Sequence, residues 1–262
     1  MLVKELKQFF RENWIPYDFL KPMRGGDEIT REKLVELGAP AAVLDKFDSM
    51  PLLVFRGLGP AKAAELWKAG ARPNNIAKFR DQLPRETVLF LEYKPLERIP
   101  HNKIPTIVEK FIPAEYSRRC TTVGSFRRER PTSGDIDILL VTKSADDLAE
   151  FESALQKKHG IKWIPYSKGQ SKMSGFFRVG RLCVGVDVWI ATPKTRHAMM
   201  LFSTGSKNFN IRMRFIAKRL GYKLNQYGVW DIKTGHLIET HSEKDIFKLL
   251  KMKYRTPPER SV

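Results

Sequence analysis

The chain is poor in cysteine, with only Cys120 and Cys183 among 262 residues. Two distant thiols cannot build a disulfide framework or a cysteine-rich zinc site, so they read as core thiols of a protein kept in a reducing setting. No apolar run approaches the roughly 20 residues a membrane span needs. The opening Met1, Leu2, Val3, Lys4, Glu5 and Leu6 lacks a signal-peptide core. These absences point to an intracellular protein of cytoplasm or nucleus with no membrane partner. Internal repeats and low-complexity tracts are missing too, which excludes a solenoid and a disordered scaffold. Acidic side chains are in short supply: 29 Asp and Glu face 47 Lys and Arg, a formal net charge of +18 spread along the whole chain. A surface that basic favours a polyanionic partner. A hydrophobic content of 42% is that of a globular chain long enough for one or two domains or several small subdomains.

The first half is helical. Leu2, Val3, Leu6, Phe9 and Phe10 share one stripe of a packing helix over residues 2–13, and residues 14–27, with Pro16, Pro22, Gly25 and Gly26, make an irregular connection. A helix is expected from Arg31 to residue 37, capped at Thr30 and stopped by Gly38, and another from Pro40. Then comes Gly57-Leu58-Gly59-Pro60 followed by Lys62 and small alanines. Glycines flanking one apolar residue and a proline at the first turn of the next helix spell a helix-hairpin-helix, whose backbone can approach a DNA phosphate closely without reading sequence. Two short helices around Pro84 bring in Ile76, Phe79, Leu83, Val88, Leu89 and Leu91. Arg98-Ile99-Pro100 marks a boundary before a helix at about 103–112.

From residue 118 the period changes to two. Strands are expected at about 119–124, 135–142, 161–166, 174–180 and 182–191, with a helix at 145–158. Within Gly134-Asp135-Ile136-Asp137-Ile138 the two aspartates fall on one face and the isoleucines on the other. Unpaired carboxylates side by side repel, so a divalent cation between them is the natural reason for the pattern. The preceding Gly124-Ser125-Phe126-Arg127-Arg128 offers N–H groups, a hydroxyl and guanidinium forks to a polyphosphate. Asp187, a lone acid in an apolar strand, supplies a third carboxylate. On the residues alone this is a metal-dependent phosphoryl- or nucleotidyl-transfer site in an α+β domain. Beyond Pro193 follow a helix at 197–202, a polar turn around Gly205, a basic helix from Ile211 to Leu220, a hairpin through Tyr227-Gly228, and a last helix capped by Ser242.

These motifs together resemble the family X DNA polymerases, the polymerase beta group, over about residues 51–262. The resemblance is carried by Gly57-Leu58-Gly59-Pro60, Arg98-Ile99-Pro100, Gly124-Ser125-Phe126-Arg127-Arg128 with Gly134-Asp135-Ile136-Asp137, Ser167-Lys168-Gly169, Asp187, Thr204-Gly205-Ser206 with Phe209-Asn210, Glu243-Lys244-Asp245-Ile246-Phe247 and Lys253-Tyr254-Arg255. It implies a reduced lyase-like region at 1–50, a fingers-type helix-hairpin-helix subdomain at 51–99, a nucleotidyltransferase palm with a mixed sheet at 100–193, and a small α+β nucleotide-selection subdomain at 194–262. It implies a monomeric, Mg²⁺-dependent, template-directed DNA polymerase that fills short gaps in repair, acting on gapped or primed DNA and deoxynucleoside triphosphates. Asp135, Asp137 and Asp187 would hold two Mg²⁺ ions, with Mn²⁺ as a substitute. Gly124, Ser125, Arg128, Gly134 and Arg98 would grip the nucleotide's phosphates, and Phe202, Ser203, Gly205 and Asn210 would border its sugar and base. Gly57, Gly59, Lys62, Arg214 and Tyr227 would meet DNA, and the carbonyls of Leu53, Phe55 and Leu58 would take Na⁺ or K⁺.

The chain departs from that pattern in four places. The family's Tyr-Phe before Thr-Gly-Ser is Phe202-Ser203, which implies a looser sugar gate; Gly185 stands where polymerase beta has an arginine; Lys207 replaces an acidic or small residue; and the lyase region is short, with Lys33 its one lysine near the Schiff-base position. Two other readings stay open: a nucleotidyltransferase working without a template, and a DNA-binding module that has lost its chemistry. A compact genome such as a virus's would suit so minimal a chain.

Overall fold

The computed structural model describes residues 30–36 and 38–261, so the helix expected at 2–13 and the connection at 14–27 lie outside it. The chain divides into two compact units, one reaching Tyr93 and the other starting at Lys94. The first is helical: α1 (Arg31–Glu36), α2 (Ala41–Asp48), a 3-10 turn Met50–Val54, α3 (Pro60–Lys68), a 3-10 stretch Ile76–Gln82 and α4 (Arg85–Tyr93). Lys33 stands in α1. Leu52, Leu58, Ala63, Leu66, Ala71, Ile76 and Leu83 form its core, and the Lys68–Asp45 pair at 2.6 Å ties α3 to α2. Residues 30–50 therefore pack with the hairpin in one body.

The second unit is built on a five-stranded sheet of order β2-β4-β7-β6-β5: β2 (Cys120–Thr122), β4 (Ile136–Val141), β5 (Ile161–Lys168), β6 (Lys172–Val179) and β7 (Leu182–Ala191). The β4–β7 pair is parallel and the others antiparallel. Two short strands, β1 (Ile99–Pro100) and β3 (Thr132–Ser133), pair beside it. Ile99 is fully buried in the sheet's core, so Arg98 and Ile99, read as the close of the helical unit, pack with the sheet instead.

Alternation along β4 and β7 sorts the faces. Ile136, Ile138, Leu140, Val184, Val186, Val188 and Ile190 turn to one side. There they meet Ile104, Ile107 and Phe111 of α5 (Ile104–Phe111) and Phe151 and Leu155 of α7 (Ala145–Lys157). On the opposite face Leu139 and Ala191 pack with Val123 and Met199, leaving Asp137 and Asp187 beside them. Between β2 and β4 the chain makes one short helical turn, α6 (Gly124–Arg127), which begins where the expected strand was to reach residue 124.

The C-terminal part has its own core of Leu201, Phe209, Met213, Val229, Ile246 and Phe247, from α8 (Arg196–Thr204), α9 (Lys207–Arg219), the β8–β9–β10 sheet (Tyr222–Asn225, Gly228–Asp231, Leu237–Ile238) and α10 (Glu243–Leu249). Helix α9 begins four residues before the expected Ile211, because the Ser206 side chain caps it by accepting from the Phe209 N–H at 3.3 Å. Ser242 caps α10 as expected. Cys183 is buried, and Cys120 is half-buried with its thiol pushed up to about 12 by burial.

Phe111 is 1% exposed and meets the Trp163 and Phe177 rings edge-on at 5.4 and 5.0 Å. Phe111→Ala should lower unfolding stability by about 3–5 kcal/mol through the cavity it leaves. Urea titration will show this as a lower midpoint at unchanged slope.

Candidate active site

The acidic centre follows from strand register. Parallel pairing of β4 with β7 sets Asp137 directly beside Asp187, and Asp135 precedes β4 by one residue. The Trp189 indole N–H donates to Asp137 Oδ1 at 2.9 Å. Burial, then the charges of Asp135 and Asp187, push the Asp137 carboxyl up to about 7, against the indole bond and the Lys172 charge. Asp187, 8% exposed, accepts the Ser174 hydroxyl on Oδ1 and pairs Oδ2 with Lys172 Nζ, both at 2.6 Å. Among the described residues no three His, Cys, Asp or Glu side chains close into a ready-made metal cage. The donors nonetheless suit a divalent cation: they are hard oxygens, and the repulsion that raises Asp137 is what such an ion relieves.

Gly124 is where backbone presses hardest on the acids. Its φ is +60°, and a Cβ there would lie 1.9 Å from Asp137 Oδ2, so only glycine fits. Ser125 Oγ donates to Ser133 Oγ at 2.7 Å. Arg128 donates through Nη1 to the Thr204 carbonyl, while its Nε is buried without a hydrogen-bond partner. Burial lowers the Arg128 pKa, opposed by the Asp137 charge. Arg127, next in line, forks onto Glu243 at 3.0 and 2.6 Å and donates to Thr204 Oγ1 at 2.7 Å. Glu243 also accepts Arg260 Nη1 at 2.6 Å. Despite burial, the two guanidiniums hold Glu243 below the usual carboxylate range.

A cavity of about 550 Å³ opens over these groups, and it brings together Gly124, Ser125, Arg128, Asp135 and Asp137 with Phe202, Ser203, Gly205, Asn210 and Arg214. Lys207 also lines it, and the Gly205–Ser206 peptide bond beside it is cis. Phe202 meets Trp189 edge-on at 5.4 Å and carries the Arg214 guanidinium 5.2 Å from its ring centre. Asn210 donates to the Phe202 carbonyl at 2.8 Å. The Ser203 hydroxyl turns back to the Met199 carbonyl at 2.7 Å.

Other expected residues lie apart. Arg98 is held on Thr132 by bonds of 2.6 to 3.2 Å, with Nη1 3.8 Å from where a Cβ on Gly134 would stand. Tyr227 lines a second cavity of about 460 Å³ with Arg196 and His197. In the helical unit Gly57 (φ +87°) packs so closely on α4 that a Cβ would be 2.9 Å from Thr87 Oγ1. Leu58 is buried between exposed Gly57 and Gly59. Lys62 pairs with Glu65 at 2.6 Å, and the Phe55 carbonyl accepts the Leu58 N–H at 3.1 Å. Leu53 sits in the 3-10 turn before it.

Lys172, Ser174 and Trp189 are site residues that sequence reading missed. Trp189 was findable, since it stands two residues from Asp187 on one strand face. Lys172 and Ser174 join only through the β6–β7 register, which pairs them with Trp189 and Asp187.

Comparison with known proteins matches residues 98–164 to the DNA polymerase beta palm and residues 199–261 to the DNA polymerase beta thumb. Repair DNA polymerase X of African swine fever virus (isolate Tick/Malawi/Lil 20-1/1983) is 28% identical over 144 residues, covering 55% of this chain and 82% of that protein. DNA polymerase lambda of Rattus norvegicus is 28% identical over 216 residues, 70% of this chain and 33% of that one. The crystal structure of Leishmania infantum polymerase beta in a ternary P/T complex superimposes with a TM-score of 0.69 over 83% of this chain and all of that chain, at 24% identity, and shares the fold.

The folded protein keeps the Asp137 proton to about pH 7, whereas an unfolded chain releases it near 3.8. The folded state thus binds the extra proton between those values, and stability of the metal-free protein falls as pH rises through that window. Asp137→Asn should flatten this dependence and stabilise the protein by about 1–3 kcal/mol at pH 8 in chelator, as urea unfolding at pH 5 and pH 8 will reveal.

Proposed function

We propose that this chain, a homologue of the family X DNA polymerases with a polymerase beta-type palm and thumb, is a DNA-directed DNA polymerase that fills short gaps during repair. The observation that carries the reading is the side-by-side register of Asp137 and Asp187, with Asp135 and Asp137 at the wall of a cavity that also holds Ser125, Arg128 and Asn210. Acids, phosphate-binding groups and a base-sized space then stand in the order a nucleoside triphosphate needs them.

Asp135, Asp137 and Asp187 would hold two Mg²⁺ ions, replaceable by Mn²⁺, which supply charge neutralisation on the triphosphate and a lowered pKa at the primer 3′-hydroxyl. Ser125, Arg128 and the Gly124 and Gly134 backbone orient the phosphates, the Arg128 Nε being a buried donor still to be satisfied. Arg98 joins them by leaving Thr132. Phe202 and Gly205 border the sugar. Because Ser203 spends its hydroxyl on the Met199 carbonyl, the sugar edge presents a small side chain in place of an aromatic wall. Asn210, fixed on the Phe202 carbonyl, faces the base, and Arg214 the template strand. This pairing of Asn210 and Arg214 in one cavity favours templated over untemplated addition. The hairpin at Gly57 and Gly59, with Lys62, holds duplex backbone, and Leu53, Phe55 and Leu58 offer carbonyls to Na⁺ or K⁺. The enzyme works as a monomer on gapped or primed DNA, and no helix among the described residues is long and apolar enough to cross a membrane.

Extension on one-nucleotide gapped DNA should follow the templating base, and Asp187→Ala should lose on the order of 10³-fold or more in incorporation rate with DNA affinity largely kept. Equal use of all four nucleotides would sink the templated reading, and surviving incorporation in Asp187→Ala the catalytic one. DNA affinity should also fall linearly with the logarithm of salt, by a slope of about 0.9 per phosphate contacted, with little dependence on sequence. A fluorescence anisotropy series on two unrelated duplexes measures it.

A further inference from the structure

Lys172 makes the closest charge contact in the acidic centre. Its ammonium lies 2.6 Å from Asp187 Oδ2, while Ser174 occupies Oδ1, so both oxygens of the acid are engaged. The same ammonium sits 4.6 Å from the centre of the Trp189 ring, whose N–H holds Asp137. One lysine therefore touches both strands' acids, directly on β7 and through an indole on β4. The Lys172 side chain is 34% exposed and that of Asp187 11%: the acid is fixed, and the lysine, a point charge on a flexible four-carbon stem, can leave toward solvent.

We propose that Lys172 is a built-in counter-cation that competes with divalent metal for Asp187, so that metal enters only as the ammonium withdraws. The inference rests on the reading of Asp187 as a metal ligand. A metal ion contacts a carboxylate oxygen at about 2.0–2.6 Å, and an ammonium held on the same oxygen would add a like charge at close range in a poorly solvated site. The two cations therefore exclude each other on Oδ2. Lys172 is a positioning residue here: it keeps a buried carboxylate neutralised and aimed into the site, which an unpaired buried charge could not sustain.

The test measures Mn²⁺ binding to the full chain, without DNA or nucleotide, by electron paramagnetic resonance of the free ion. Lys172→Met and, as a second neutral variant that retains hydrogen bonding, Lys172→Gln should bind Mn²⁺ about 3- to 30-fold tighter than the parent. In chelator both should melt at lower temperature, and Lys172→Arg, which keeps the charge, should stay near the parent in both measurements. Unchanged or weaker Mn²⁺ binding in folded Lys172→Met or Lys172→Gln overturns the competition. If neither the parent nor the variants bind Mn²⁺ at millimolar levels, the metal-site reading itself falls and the inference goes with it.

Discussion

Negative charge cannot be concentrated on one face of a sheet unless positive charge is found for it. Asp135, Asp137 and Asp187 impose that condition on the whole second unit. Apolar residues on the reverse of β4 and β7 anchor the strands against α5 and α7, which is what allows the opposite face to carry groups that repel. The near neighbours then answer the charge in different ways: an indole dipole at Asp137, a hydroxyl and an ammonium at Asp187, and the Arg128 guanidinium within reach of the Asp137 field. None of these is an isolated surface ion pair of small worth; each acts where solvent is largely excluded.

The same logic extends to the C-terminal part. Glu243 is 8% exposed and is satisfied by two guanidiniums, Arg127 from the α6 turn and Arg260 from near the chain's end. Arg260 is itself fully buried, with Phe247 and Tyr254 rings at 5.3 and 5.6 Å. A buried ionic group is weak evidence for stability but fixes geometry, because a shift of either partner strands a charge. Helix α10 and the α6 turn are thereby held in one arrangement, and Thr204, which receives both Arg127 and Arg128, places the Gly205 turn between them.

Much of this was readable in the sequence where the signal is local. Period-two alternation located the five strands of the main sheet and put Asp135 and Asp137 on one face. Glycines and prolines found the hairpin at Gly57-Leu58-Gly59-Pro60, and Ser242 its helix. What could not be read was non-local. Strand order decides that Lys172 and Ser174 face Asp187, and no spacing rule gives strand order. The Arg127–Glu243 pair spans 116 positions, so Arg127 looked like one more basic residue. Helix α6 escapes sequence reading because its four residues carry too little periodicity to register, and α9 starts ahead of its expected position because three of its first four residues, Lys207, Asn208 and Asn210, are polar.

Trp189 has a use beyond holding Asp137. Its ring is in contact range of a carboxylate, an ammonium and the Phe202 ring at once, and it is one of five tryptophans in the chain. Indole emission responds to neighbouring charge and to stacking, so the acidic centre contains its own optical probe. With the other four indoles replaced by phenylalanine, the arrival of cation, nucleotide and template could be timed separately in a stopped-flow instrument, with no dye attached to the protein or the DNA.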